Sequence, residues 1–169
     1  MQTRTSNRFV GALALLLPLL TISCGGSADA AELNEKGSKA LNSGDAQGAL
    51  KSFQAALEHL EPGTSDYMKA KTGEIDAMIQ LGHAEHAKDA LFALGPQADE
   101  NMYTDVASKL YAAKHNPEAI AVLDAGIKLY AESPQLKALM DKVIADAQKQ
   151  GDANTLKDLE GLGYLGGGD

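Results

Sequence analysis

Apolar residues recur at helical spacing from about residue 30 to near the end of the chain. They fall in segments that short polar turns separate, at 42–45, 81–83, 114–117 and 150–152. The alternation of Val, Ile and Thr that half-buried strands require is missing. The pattern therefore predicts an all-α domain, and the four similar turns predict four helical hairpins.

A different pattern precedes this domain. Residues 9–22 form an uncharged apolar run, and the segment before it carries Arg4 and Arg8 but no acid. A basic start followed by a short apolar run is the layout of a signal peptide. A membrane-spanning helix needs about 20 apolar residues, more than this run provides. We therefore expect a cleaved leader over residues 1–23.

The run ends at Ser23-Cys24-Gly25, which resembles the lipobox of bacterial lipoproteins, although Thr21 replaces the usual leucine. This resemblance implies that Cys24 carries two or three acyl chains and becomes the new N-terminus, followed by a flexible tether over residues 24–29. In the alternative reading, an ordinary signal peptidase cleaves near residues 28–30 and Cys24 is incidental.

Charge and cysteine content narrow the range of partners. After the leader the chain holds 13 basic and 23 acidic residues, a net charge of −10, which disfavours nucleic acid and anionic lipid. Cys24 is the sole cysteine, so no disulfide forms within the chain.

The segments after the turns, such as GDAQGALKSFQAAL and KHNPEAIAVLDAGI, resemble the second helix of a tetratricopeptide repeat. In the first and third repeats the signature positions hold Leu33, Gly37, Ala40, Ala49, Phe53 and Ala56, then Tyr103, Ala107, Leu110, Ala119, Leu123 and Gly126. Ile75 stands where the second repeat should have a small residue, and Leu156 does so in the fourth. The resemblance implies a right-handed solenoid of about four hairpins over residues 30–161. A generic helical bundle with short loops is the alternative.

In that family the first helix of each hairpin lines a concave groove. The resemblance therefore implies that the groove is lined by Asn34, Ser38, Asn42, Lys69, Thr72, Asp76, Gln80, Asn101, Thr104, Ser108 and Tyr111. Their amides and hydroxyls suit the backbone of an extended peptide, and Tyr111 offers an aromatic anchor. Ordinary solvated helix faces would show the same composition.

Other candidate chemistry is weak. His83 and His86 have ligand-like spacing, but they flank a turn and no cysteine adds to them. The tail segment 161–166 matches G-x-G-x-x-G without the strand and helix that a nucleotide site needs. We expect no metal, no cofactor and no catalytic residue. We expect the glycine-rich tail, 162–169, to fold Leu162, Tyr164 and Leu165 back onto the last helices, with its final residues frayed.

The sequence thus predicts a monomeric, lipid-anchored envelope protein, facing the periplasm from the outer membrane, that binds another envelope protein or peptide. One alternative is an accessory structural subunit that uses another surface of the repeats. A second is an enzyme or metal binder whose site is dispersed along the chain.

Overall fold

The computed structural model describes residues 26–166 of the chain. The predicted signal peptide, Cys24 and the last residues of the tail lie outside the described residues. Within the described range the fold is all-helical, as predicted, with eight α helices and no strand. The helices are α1 (Gly26–Asn42), α2 (Ala46–Leu57), α3 (Ser65–Gln80), α4 (Ala84–Ala93), α5 (Glu100–Ala112), α6 (Asn116–Leu129), α7 (Pro134–Gln150) and α8 (Ala153–Gly161), with a short 3₁₀ turn at Gly95–Gln97. None of these helices is both long and apolar enough to span a bilayer.

The helices pack in sequence order. Each of the pairs α1–α2, α3–α4, α5–α6 and α7–α8 is joined by a short turn and packs together. In addition, α1 contacts α3, α3 contacts α5, and α5 contacts α7, so the odd-numbered helices form one continuous layer. Among the even-numbered helices, α6 packs between α4 and α8.

The four predicted turns are confirmed, and they share one backbone geometry. Gly44, Gly82, Lys114 and Gly151 each have a positive φ, between 66° and 83°. In the first turn the N–H of Asp45 donates to the carbonyl of Ala40 at 2.9 Å, and the other three turns repeat this bond. Such a bond around a left-handed residue satisfies carbonyls that the end of a helix leaves without a partner.

The first two hairpins meet around the ring of Phe53, which is 2% exposed. A Cβ added to Gly37 on α1 would lie 2.8 Å from this ring, and one added to Gly73 on α3 would lie 2.3 Å from it. Both helices therefore approach Phe53 more closely than any larger residue allows. The small residue that we expected at Ile75 is thus found at Gly73, and Ile75 is instead fully buried in the main core.

Asn116, the first residue of α6, makes contacts with another hairpin. His115 occupies the cap position of α6 and makes no side-chain capping bond. The amide of Asn116 instead donates to Asp152 at 3.2 Å and to Thr155 at 3.1 Å. It therefore links the start of α6 to the start of α8.

The two ends of the helical region also differ in detail from expectation. Helix α1 already begins at Gly26, inside the segment 24–29 that we expected to be a tether. At the other end Tyr164 and Leu165 pack against the core, as predicted, whereas Leu162 remains 43% exposed.

Candidate functional site: the odd-helix face

The eleven predicted groove residues all lie on α1, α3 and α5, and we call this surface the odd-helix face. Each of them is exposed or half-buried. Consecutive odd-numbered helices contact one another, so the face is continuous from one hairpin to the next. Clefts lie between the helices, and they divide the eleven residues into groups.

The clearest cleft lies between α1 and α3 and has a volume of about 720 Å³. Four predicted residues line it, namely Asn34, Ser38, Lys69 and Thr72. The apolar side chains of Ala31, Phe53 and Met68 also line it, with Glu35, Ser65 and Asp66. The cleft therefore combines an apolar lining with polar groups from both helices, as peptide-binding surfaces do.

Hydrogen bonds hold the polar side chains of this cleft. The hydroxyl of Ser38 donates to the carbonyl of Asn34, and that of Thr72 donates to the carbonyl of Met68, each at 2.9 Å. The side-chain N–H of Asn34 donates to the carbonyl of Asp66 at 3.1 Å, while its amide oxygen is buried and accepts no hydrogen bond. A buried acceptor without a donor costs free energy.

Between α3 and α5 the odd-helix face carries an ion-pair network. The ammonium of Lys109 lies 2.7 Å from a carboxylate oxygen of Asp76 and 2.5 Å from one of Asp105. Burial raises the pKa of the Asp76 carboxyl despite the hydrogen bond from Lys109. For Lys109, burial by itself would lower the pKa of the ammonium. The hydrogen bonds to Asp105 and Asp76 together outweigh burial, so the pKa of Lys109 is raised. Asp76, predicted as a groove contact, therefore mainly joins α3 to α5.

Tyr111 is likewise engaged within the fold. Its hydroxyl donates to Asp146 on α7 at 2.8 Å, and the ammonium of Lys142 lies 6.0 Å from the centre of its ring. Partial burial, followed by the bond to Asp146, raises the pKa of Tyr111 to about 12. The ring thus connects the third hairpin to the fourth, which leaves it less available as an anchor for a ligand.

The remaining predicted residues are distributed along the face. Asn101 shares a cleft of about 400 Å³ with Met68, Thr72 and Asp99, and Gln80 lies with Asp76 and Lys109 in another of about 370 Å³. Asn42, Thr104 and Ser108 lie on the same helices without lining these clefts.

Sequence reasoning missed the apolar lining of the α1–α3 cleft. It placed Phe53 only at a signature position of the first repeat, and it did not consider Met68. The signal available was Gly73, because a glycine inside a helix indicates close approach of another group. In the structure that group is the ring of Phe53.

The histidines do not form a cluster with other metal-binding side chains. The rings of His83 and His86 lie 6.0 Å apart, edge to face. Within residues 26–166, no three His, Cys, Asp or Glu residues lie close enough together to hold a metal ion.

Comparison of the chain with protein-family models, with curated proteins and with solved structures gives no significant match.

Proposed function

We propose that this chain is a lipid-anchored protein of the bacterial envelope that acts, as a monomer without cofactor, as an adaptor of the tetratricopeptide type. In this proposal its hairpins form a right-handed solenoid, and its odd-helix face binds a segment of another envelope protein. The lipid on Cys24 holds it to the membrane, on the periplasmic side of the outer membrane.

The repeated local geometry supports the solenoid. Four hairpins end their first helix with the same left-handed residue and the same hydrogen bond. Stacked hairpins of this kind bury a continuous core only against their neighbours. The placement of Phe53 between Gly37 and Gly73 joins two successive hairpins in this way.

The α1–α3 cleft is the main structural support for a binding role. An extended segment lying along it would place an apolar side chain against Phe53 and Met68. One of its N–H groups would donate to the hydroxyl oxygen of Ser38, an exposed residue of the cleft. Main-chain hydrogen bonds with intervening side-chain pockets are a common mode of peptide recognition.

A binding role fits the chemistry of the face better than a catalytic one. Asp76 and Lys109, which are half-buried in the middle of the face, are paired with each other. The hydroxyls of Ser38 and Thr72 are bonded to carbonyls of their own helices. Catalytic acids, bases and nucleophiles instead require a partner that activates them toward a substrate.

Photo-crosslinking in the native cell tests the binding surface. A photoreactive amino acid placed at Ser38 or Asn101 on the odd-helix face should give a discrete adduct with another envelope protein. Lys51 on α2 and Asp89 on α4 are exposed positions on the even-numbered helices and serve as matched controls. Adducts from the two control positions alone would support an accessory structural subunit instead.

Membrane fractionation tests the anchor. Cys24→Ala should release the processed protein from the membrane pellet, because acyl chains are the strong anchor in a chain whose mature part carries a net charge of −10. Variant protein that loses its leader and still sediments wholly with the membrane would contradict the lipid anchor.

A further inference from the structure

Three large apolar side chains stand out as exposed in the described part of the chain: Phe92 at 37%, Leu129 at 63% and Leu162 at 43%. Each lies at the C-terminal end of an even-numbered helix. Phe92 is in the last turn of α4, Leu129 is the last residue of α6, and Leu162 follows the last residue of α8. Moving a water-exposed leucine or phenylalanine side chain into an apolar environment is favourable.

These helix ends lie along one edge of the molecule, which we call the apolar edge. The ring of Phe92 stacks at 6.4 Å on that of Tyr103, which in turn lies 6.0 Å from the ring of Tyr130, the neighbour of Leu129. Helix α8 packs against α6, and Tyr164 behind it donates to Asp124 of α6 at 3.3 Å. Because each hairpin reverses the chain, α4, α6 and α8 all end on this side.

The start of α1 belongs to the same edge. Helices α1 and α2 form a hairpin that turns at residues 43–45, so α1 begins where α2 ends. Only Gly25 separates Cys24 from Gly26, the first residue of α1. Consecutive Cα atoms lie about 3.8 Å apart, so the two Cα–Cα steps between the lipidation position and this helix span at most about 8 Å of chain.

We propose that the apolar edge rests on the surface of the bilayer into which the lipid on Cys24 inserts, with Phe92, Leu129 and Leu162 among the zwitterionic headgroups. This inference depends on the lipid anchor proposed above. A tether of one residue keeps the edge near the bilayer, and burial of the three side chains stabilises that orientation. Exposed acids on the same edge, Asp29, Glu61, Asp99 and Glu132, disfavour an anionic surface. In this orientation the odd-helix face is perpendicular to the membrane plane, and a partner can approach it from the side.

The absence of tryptophan from the chain provides a direct test. Full-length acylated Leu129→Trp and Leu162→Trp are reconstituted into phosphatidylcholine vesicles whose acyl chains carry bromine, which quenches tryptophan on contact. The matched control is Ala113→Trp, at an exposed position in the α5–α6 turn on the opposite edge. We expect blue-shifted emission and several-fold stronger quenching at 129 and 162 than at 113. Replacing part of this lipid with phosphatidylglycerol that carries the same brominated acyl chains should weaken that quenching.

Each outcome separates the two proposals. If all three variants float with the vesicles but show equal quenching, or none, the apolar edge does not rest on the bilayer. The lipid anchor would be unaffected by that result. Failure of the acylated protein to float with the vesicles would overturn the anchor and, with it, the inference that depends on it. Stronger quenching in phosphatidylglycerol would contradict the assignment of a zwitterionic surface.

Discussion

Tyr111 illustrates how a residue chosen as a ligand contact acquires a structural role. Its phenol is partly buried and donates to Asp146, and the two together raise its pKa to about 12. The phenol of an unfolded chain ionises at about pH 10. The folded state therefore binds the proton more tightly, and the stability that Tyr111 contributes is fully present below pH 10. It is lost as the pH rises toward 12.

We therefore predict that Tyr111→Phe flattens the alkaline loss of stability. Between pH 10 and 12 the urea midpoint of the wild type should fall more steeply than that of the variant, because only the wild type releases this proton on unfolding. Absorbance at 295 nm should also lose a component that titrates near pH 12. If the two midpoints fall in parallel, the bond to Asp146 does not control the ionisation of Tyr111.

Lys114 and Asn116 show what sequence reasoning could and could not establish for single residues. The turn at 114–117 was predicted from its polar residues, yet nothing in the sequence indicates that Lys114 itself adopts a φ of 68°. Asn116 satisfied the usual preference for a helix cap, but its amide reaches Asp152, which is 36 residues away. A tertiary partner of this kind outweighs a local preference, and it is visible only once the hairpins are stacked.

Helices and turns were the most predictable elements, because they follow from apolar spacing and local turn chemistry. The long connection between α2 and α3 contains Pro62-Gly63, and α4 ends at Ala93 just before Gly95-Pro96, both of which are helix-breaking pairs. Alignment by turn position failed at Ile75, because the close contact with Phe53 falls two residues earlier, at Gly73. The apolar lining of the α1–α3 cleft was missed for the same reason.

Close packing between paired helices makes a prediction at the level of the element. Ala49 and Ala119 are fully buried, at the positions where the repeat alignment brings the two helices of a hairpin together. Ala49→Leu and Ala119→Leu should each cost about 1–3 kcal/mol, because extra methylene groups force the backbones apart. Urea unfolding measures this cost as a shift of the midpoint at unchanged slope.

The control for these substitutions must be an exposed alanine in the middle of a helix. Ala55 on α2 lies outside the signature positions of the repeat, but it is half-buried and therefore unsuitable as a control. Ala138 on α7 is exposed. Ala138→Leu should therefore change the stability by less than about 0.5 kcal/mol. Equal shifts for Ala138→Leu and the two buried substitutions would mean that the helix pairs are not closely packed at Ala49 and Ala119.

At the scale of the whole molecule, the buried residues form two clusters of unequal strength. The larger cluster extends from α3 to α8 and includes Ile75, Leu91, Leu110, Ile120, Leu123 and Leu136. The smaller cluster consists of residues on α2 and α3, with Leu33, Ala40 and Leu41 of α1 packed against it: Ala49, Leu50, Phe53, Ala56, Ala70 and Ala77. Since most of its members are alanines, the smaller cluster removes much less apolar surface from water. The first hairpin, which contributes one wall of the α1–α3 cleft, therefore has a smaller apolar core than the central hairpins.

We predict that this difference appears in native-state hydrogen exchange. A terminal hairpin has a neighbouring hairpin on one side only, so a terminal hairpin with a small core opens at a lower free energy than a central one. Mid-helix amides of α1, around Ala40, should exchange faster than those of α5, around Leu110. Phe53→Leu should accelerate exchange in α1 to α3 and leave α5 and α6 unchanged. If Phe53→Leu accelerates exchange equally in all helices, the molecule opens as one unit, and the α1–α3 cleft has no independent freedom to adjust to a ligand.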